Sequence, residues 1–201
     1  MAVDELTQLV QRVINILKEA RPRVFKAPVD RETVVFFTDG ACEPIGVGPS
    51  KTIQATVGGV LMFRGRVERF FGAIVPPDVM KVWTCGGIKE QVIGQAEIAP
   101  VLIARMLWSD FHDDHYWFNF VDNESAREAV VKGRSPVAES QEMIRRLNEL
   151  EVGHPKFPWY NRVPSASNPG DDPSRLKMDE LRRAGAREDR VPRKVWEAML
   201  V

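Results

Sequence analysis

The segment Thr33-Val-Val-Phe-Phe-Thr-Asp39-Gly-Ala41 joins a dense run of β-branched and aromatic residues to an acid and a glycine. A short run of this kind is typical of a buried central strand. The glycine and the proline that follow at Gly40 and Pro44 predict that the strand ends at Asp39. The carboxylate of Asp39 then lies at the carboxyl end of a central strand, where ligands bind in open α/β sheets.

The elements around this strand predict the rest of the sheet. Ala55–Phe63 and Val67–Val75 favour a hairpin, and Tyr116–Val121 and Trp159–Val163 favour two further strands. Gly94–Trp108 is apolar nearly all round, which is typical of a buried helix. The order predicts an α/β fold whose five-stranded mixed sheet has three antiparallel strands, then parallel strands, flanked by helices.

Composition limits the class of protein. The chain has 201 residues, 44% of them hydrophobic and 28% charged, and its formal net charge is zero. We expect an amphipathic helix and linker over 1–30, one main domain over 31–186, and a C-terminal extension with a short helix over 187–201. The 2 cysteines and the lack of a leader or membrane-spanning pattern predict a cytoplasmic or nuclear protein without membrane contact.

Several acidic residues lie at the ends of the predicted strands and helices or on the predicted buried helix. Asp122 directly follows the strand Tyr116–Val121, and Glu97 lies on the apolar helix. Asp171 and Asp172 open a helix after the last strand. Converging carboxylates repel one another unless a divalent cation neutralises them, and oxygen ligands suit Mg²⁺ or Mn²⁺.

Each acid also has an ordinary structural explanation. Asp39-Gly is a common turn pair, and Asp122 and Asp171 could be acids favoured at helix starts. Glu97 could pair with Arg105. However, all four acids fall at positions from which they could form a single site. This coincidence favours a metal site over four separate structural roles.

Four segments, in this order along residues 33 to 180, resemble the ribonuclease H family: Phe37-Thr-Asp39-Gly-Ala, Ile93-Gly-Gln-Ala-Glu97, Phe120-Val-Asp122-Asn-Glu-Ser-Ala, and Val163-Pro-Ser-Ala-Ser-Asn168-Pro-Gly-Asp171-Asp-Pro-Ser-Arg175. The chain looks most like the ribonuclease H-like domains that follow the polymerase region of retroelement and virus-like reverse transcriptases. The resemblance therefore implies a polymerase region of the same polypeptide as a partner.

The resemblance implies an Asp-Glu-Asp-Asp set formed by Asp39, Glu97, Asp122 and Asp171, with Asp172 as a substitute for the last. It implies two Mg²⁺ ions, replaceable by Mn²⁺, and hydrolysis of the RNA strand of an RNA–DNA hybrid that leaves 5′-phosphate ends. We expect Asp39 to bridge the two ions, because it lies on the central strand.

The chain departs from the family pattern in two places. Many ribonucleases H carry a histidine before the last aspartate, whereas this chain has Pro164-Ser-Ala-Ser there. Pro100 lies in the predicted Glu97 helix, so we expect the helix either to begin close to Glu97 or to kink.

Candidate substrate contacts flank the acids. Gln95 and Asn123 neighbour Glu97 and Asp122 and could touch a sugar edge, Ser165 and Ser167 replace the missing histidine, and Arg175 could contact a phosphate. Trp83 is the one tryptophan that we expect in an exposed segment, where it could stack on a base.

Two other functions remain open. One is a non-catalytic ribonuclease H-like nucleic-acid-binding or connection domain, in which the acids are expected to be lost. The other is a related metal-dependent nuclease acting on DNA. Exonucleases of that kind usually carry Asp-x-Glu on the first strand, and residue 41 is Ala here.

Overall fold

The computed structural model describes residues 3–19, 32–46, 52–85, 92–111, 115–153 and 158–200. The strands are β1 (Thr33–Ile45), β2 (Thr52–Phe63), β3 (Arg66–Ile74), β4 (Tyr116–Val121), β5 (Trp159–Arg162) and β6 (Arg187–Glu188). The α-helices are α1 (Val3–Glu19), α2 (Pro77–Trp83), α3 (Ile93–Leu107), α4 (Glu124–Lys132), α5 (Ala138–Gly153), α6 (Asp171–Ser174), α7 (Asp179–Arg183) and α8 (Arg193–Glu197). Short 3₁₀ turns cover Ser109–Phe111 and Ser165–Ser167.

The strands form one mixed sheet in the order β5-β4-β1-β2-β3-β6. β1, β2 and β3 are antiparallel neighbours, and β4 and β5 run parallel to β1, which confirms the predicted α/β fold with a mixed sheet. The sheet has six strands instead of the predicted five, because β6 pairs with β3 at Arg69 and Phe70. A strand of two residues carries no periodic pattern that sequence reasoning could find.

The prediction that the first strand ends at Asp39 is wrong. β1 continues to Ile45, because β2 pairs with it along its whole length, from Val34 opposite Phe63 to Ile45 opposite Thr52. The parallel partner β4 stops earlier, at Thr38 opposite Val121. Asp39 therefore lies within β1 but directly beyond the end of β4.

The core lies between one face of the sheet and helix α3. Phe36 of β1 is fully buried there, and its ring centroid lies 5.5 Å from that of Trp108 and 4.4 Å from that of Trp117. Trp83 is also fully buried, at the end of α2. The expectation of an exposed Trp83 stacking platform is therefore wrong, since the ring is needed to fill the core.

The two ends of the described chain differ in their packing. Val195, Trp196 and Met199 near the C-terminus are buried in the same core as α3. In contrast, the apolar side chains of α1 that the structure describes, from Leu6 to Leu17, are exposed, Leu17 by 73%. The linker predicted to follow this helix lies outside the described residues. No helix in the described ranges combines the length and the apolar character that crossing a membrane requires.

Candidate active site

Three carboxylates meet where β4 ends. Asp39, Glu97 and Asp122 each offer an oxygen, and these oxygens lie within 4.8 Å of one another. Asp122 follows the last residue of β4, and Val121 at that position pairs with Thr38, the residue before Asp39. The register of β1 with β4 thus places the first and third acids side by side.

Glu97 reaches this point because α3 and β1 touch backbone to backbone. A Cβ atom built on Gly40 would lie 2.2 Å from the carbonyl oxygen of Ala96, so no larger residue fits without displacing the helix. The nearby Gly40 amide partly offsets the rise in the pKa of Glu97. Glu97 can therefore approach the other acids only because residue 40 is a glycine.

Pro100 does not prevent the helix from forming. α3 begins at Ile93, ahead of Glu97, and runs past Pro100 to Leu107. Proline has no N–H to donate to the carbonyl four residues earlier, which is that of Ala96. That carbonyl is the same group that faces Gly40 across the helix–strand contact.

Burial and nearby negative charge raise the pKa values of Asp39 and Glu97. The pKa of Glu97 rises to about 9, first because the carboxyl is buried and then because Asp39 and Asp122 are close. Burial likewise raises the pKa of Asp39 to about 6, opposed by a hydrogen bond from Ser174 and reinforced by the charges of Asp122 and Asp171. Uncompensated acids of this kind bind either a proton or a cation near neutral pH.

The donor set fits a hard divalent cation. Glu97 Oε2 and Asp122 Oδ1 are buried and have no hydrogen-bond partner among the described residues. Orphaned carboxylate oxygens are costly unless they bind a ligand, and an all-oxygen set suits Mg²⁺ or Mn²⁺. The three acids could therefore hold such an ion.

The structure does not bring the predicted fourth acid into this cluster. Asp171 opens α6, and its Oδ1 accepts a hydrogen bond of 2.9 Å from Arg175 Nε. Its charge nevertheless acts on Asp39, which places it beside the cluster. Asp172 is exposed. Asp171 is therefore better placed than Asp172 to add its carboxylate to the site.

Ser174 is a site residue that the sequence analysis missed. Its hydroxyl is fully buried and donates a hydrogen bond to Asp39 Oδ2. Helix α6 comes this close because Gly58 and Gly72 leave room on β2 and β3: a Cβ on Gly58 would lie 2.1 Å from Ser174 N. The spacing of three residues from Asp171 puts both side chains on one helix face and is the signal that could have found Ser174.

Asn168 fixes the turn that leads into α6. Its Nδ2 donates a hydrogen bond of 3.3 Å to the carbonyl of Thr38, and its Oδ1 accepts one of 3.0 Å from the Gly170 amide. The turn is therefore tied directly to β1, one residue before Asp39. This explains how a short loop and helix deliver Asp171 and Ser174 to the same place.

The predicted substrate contacts lie at differing depths. Ser165 and Ser167 are exposed in a 3₁₀ turn, and Arg175 is paired with Asp171. Gln95 is only 3% exposed, which leaves little of it for a substrate to touch. Asn123 caps α4 by accepting a hydrogen bond of 3.0 Å from the Ala126 amide.

The sheet order and the flanking helices define a ribonuclease H-like fold, with the cluster of acids at the end of β4. No protein-family model matches the chain, and no curated protein matches it either. Solved structures do match, and several of them are ribonucleases H1.

The ribonuclease H1 LC11 from compost is 14% identical, with a TM-score of 0.55 over 74% of this chain and 97% of that one. The same enzyme in complex with an RNA/DNA hybrid is similar over 74% of this chain and 99% of that one, with 15% identity and a TM-score of 0.50. Ribonuclease H1 from Halobacterium salinarum is 19% identical, with a TM-score of 0.50 over 74% of this chain and 98% of that one. These similarities show that the chain has the ribonuclease H-like fold.

Proposed function

We propose that this protein is a metal-dependent endonuclease that hydrolyses the RNA strand of RNA–DNA hybrids. The observation that carries the proposal is the cluster of Asp39, Glu97 and Asp122, with its orphaned buried oxygens. The fold supports it, since a ribonuclease H1 with this fold was crystallised with an RNA/DNA hybrid. A non-catalytic domain has no need for three clustered acids, two of them buried, that repel one another.

Divalent cations, when bound, would supply Lewis-acid polarisation of the scissile phosphate and a lowered pKa for the attacking water. The role of the chain is to hold them. Asp39 lies within electrostatic reach of Asp122 and Asp171, so it is the acid best placed to be shared between two ions. Glu97 and Asp122 would complete the ligands on one side, and Asp171 those on the other.

Arg175 would change partners when Asp171 becomes a ligand. In the structure its guanidinium bonds Asp171 and lies 3.8 Å from Glu43. Once Asp171 turned toward a cation, Arg175 would be free to contact a substrate phosphate. Ser165 and Ser167, on the exposed turn next to it, would face the same strand, whereas burial gives Gln95 the weakest support as a sugar contact.

We further propose that the chain works beside a polymerase region, as in reverse transcriptases, inside the cell. Support comes from the order of the four acid-bearing segments along the chain. Zero net charge predicts weak, salt-sensitive binding of hybrid by this chain alone. Tight, salt-insensitive binding without metal would contradict this context.

The test is to incubate the purified chain with end-labelled RNA–DNA hybrid, RNA duplex and DNA duplex, with Mg²⁺ and with Mn²⁺. We expect cleavage of the RNA strand of the hybrid and products with 5′-phosphate ends. Cleavage of DNA duplex alone would instead indicate a nuclease acting on DNA. An intact hybrid, under conditions that let a known ribonuclease H cut it, would indicate a non-catalytic domain.

A further inference from the structure

Arg162 lies at the edge of the acid cluster. It is the last residue of β5, and the parallel register pairs it with Val121, the residue before Asp122. The Val163 amide donates a hydrogen bond of 3.1 Å to the Val121 carbonyl, which fixes the chain directly after Arg162. The pairing of β4 with β5 therefore sets Arg162 beside one of the three clustered acids.

One donor anchors the guanidinium of Arg162. Its Nε donates a hydrogen bond of 3.3 Å to the backbone carbonyl of Asp122. Asp122 thus contacts Arg162 through its main chain and the other acids through its side chain. A guanidinium carries five N–H donors in a planar fork. The donors on Nη1 and Nη2 have no acceptor among the residues that the structure describes, so most of the fork is unused.

Arg162 differs in this respect from two other arginines near the site. Arg127 forms an ion pair with Glu124 at the start of α4, and Arg175 forms one with Asp171. Within the described part of the chain Arg162 has no carboxylate partner, and its side chain is exposed. A tethered cation with unused donors suits an anionic ligand that lies across the neighbouring acids.

We infer that Arg162 binds a phosphate of the RNA strand next to the scissile one. The inference rests on the proposed function, which places that strand across the clustered acids. Guanidinium groups bind phosphate oxygens through two parallel N–H donors, and Nη1 and Nη2 supply such a pair. Because Nε is bonded to the main chain of Asp122, this contact would fix the strand relative to the cation ligands.

Two substitutions separate a phosphate contact from a merely structural hydrogen bond. Arg162→Gln removes the positive charge, whereas Arg162→Lys keeps the charge and loses the Nε donor. We expect Arg162→Gln to weaken hybrid binding by about 10-fold. The slope of log binding constant against log salt concentration should become shallower by about 1. Arg162→Lys should keep the wild-type slope, and both variants should bind Mn²⁺ no more weakly than wild type.

The experiment is fluorescence anisotropy of labelled RNA–DNA hybrid with the full chain at several NaCl concentrations, in Ca²⁺, which carboxylates also bind. Calorimetric titration with Mn²⁺ is run beside it. Arg190→Gln is the matched control for the lost charge, because Arg190 is exposed and follows β6, at the opposite edge of the sheet from β5. We expect it to keep the wild-type slope.

Two results of these titrations would overturn the inference. The first is a salt slope in Arg162→Gln equal to that in Arg190→Gln, which would make Arg162 an ordinary surface charge. The second is weaker Mn²⁺ binding in Arg162→Lys as well as in Arg162→Gln, with the salt slope unchanged in both. That pattern would mean that Arg162 only supports Asp122.

Hybrid cleavage by wild type in Mg²⁺, measured in parallel, separates this inference from the proposed function. Wild type that binds hybrid but leaves it intact, with weaker and less salt-dependent binding in Arg162→Gln, would support the phosphate contact and contradict the ribonuclease. Cleavage by wild type, with unchanged hybrid binding in Arg162→Gln, would do the reverse. Wild type that binds no hybrid would overturn the phosphate contact.

Discussion

The hydroxyl of Ser174 donates a hydrogen bond to the carboxylate of Asp39, across a sequence separation of 135 residues. The carbonyl oxygen of Asp171 lies 2.8 Å from the same hydroxyl and is a second acceptor for its single hydrogen. Ser174 therefore connects Asp39 on β1 to α6, the helix that carries Asp171. It orients Asp39 from the side opposite α3.

Replacing Ser174 by Ala should lower metal-dependent cleavage by about 10- to 100-fold, because Asp39 loses the donor that orients it. Alanine fits the space beside Gly58, so the fold should be retained. Steady-state rates over a range of Mn²⁺ concentrations, with unfolding curves in EDTA, measure both effects. Wild-type rates in a folded Ser174→Ala protein would show that this hydrogen bond has no part in catalysis.

Gly40→Ala should damage both stability and metal binding. The added Cβ would meet the Ala96 carbonyl at 2.2 Å, so α3 must move away and carry Glu97 with it. Overpacking of this kind costs about 1–3 kcal/mol. Gly94→Ala is the matched control, because a Cβ there meets nothing within 4 Å and alanine favours the helix.

Denaturant unfolding and Mn²⁺ titration of the two glycine variants test this contact. We expect Gly94→Ala to be as stable as wild type or more so, and to bind Mn²⁺ equally well. If Gly40→Ala behaved like Gly94→Ala, the backbone contact between β1 and α3 would not be what positions Glu97.

The metal-free protein should lose stability as the pH rises from about 5 to 9. The pKa of Glu97 is raised from 4.5 to about 9, and that of Asp39 from 3.8 to about 6, so the folded state holds protons that the unfolded state releases. This stabilisation is complete below the unfolded values and is lost as the pH passes through the folded ones.

Glu97→Gln should flatten this dependence, since its side chain stays neutral. Unfolding free energies of both proteins in EDTA at pH 5, 7 and 9 measure the difference. We expect Glu97→Gln to exceed wild type at pH 9 and to approach it at pH 5. A parallel decline in both proteins would mean that Glu97 is not the group responsible.

Asp171→Asn and Asp172→Asn should differ sharply. Asp171 lies beside Asp39 and its negative charge raises the pKa of Asp39, whereas Asp172 is exposed. We therefore expect Asp171→Asn to lose nearly all hybrid cleavage and Asp172→Asn to retain it. Initial rates at saturating Mg²⁺ distinguish the variants, and the opposite ranking would make Asp172 the fourth ligand.

The sequence predicts the parts of the site that depend on local patterns. The apolar runs before Asp39 and Asp122 identify two strands, and an acid on an apolar helix identifies Glu97. These signals work because burial on both faces of a strand, or all round a helix, leaves a continuous apolar run.

Other features depend on partners that are distant in the sequence. β1 extends to Ile45 only because β2 pairs with it, through residues whose own preferences favour a loop. The role of Ser174 requires α6 to lie in the space left by Gly58, and that of Glu97 requires α3 to approach Gly40. No local pattern marks such contacts before the chain is folded.

The central claim is that the three clustered acids hold the cations that cleave hybrid RNA. Its most direct test is the initial rate of RNA cleavage in an end-labelled RNA–DNA hybrid, by wild type and by Asp122→Asn, at equal Mg²⁺ and equal protein concentration. We predict cleavage by wild type and none detectable by Asp122→Asn, with both proteins folded. Equal rates, or an intact hybrid with wild type at high Mg²⁺ and Mn²⁺ while a known ribonuclease H cuts it, would contradict the claim.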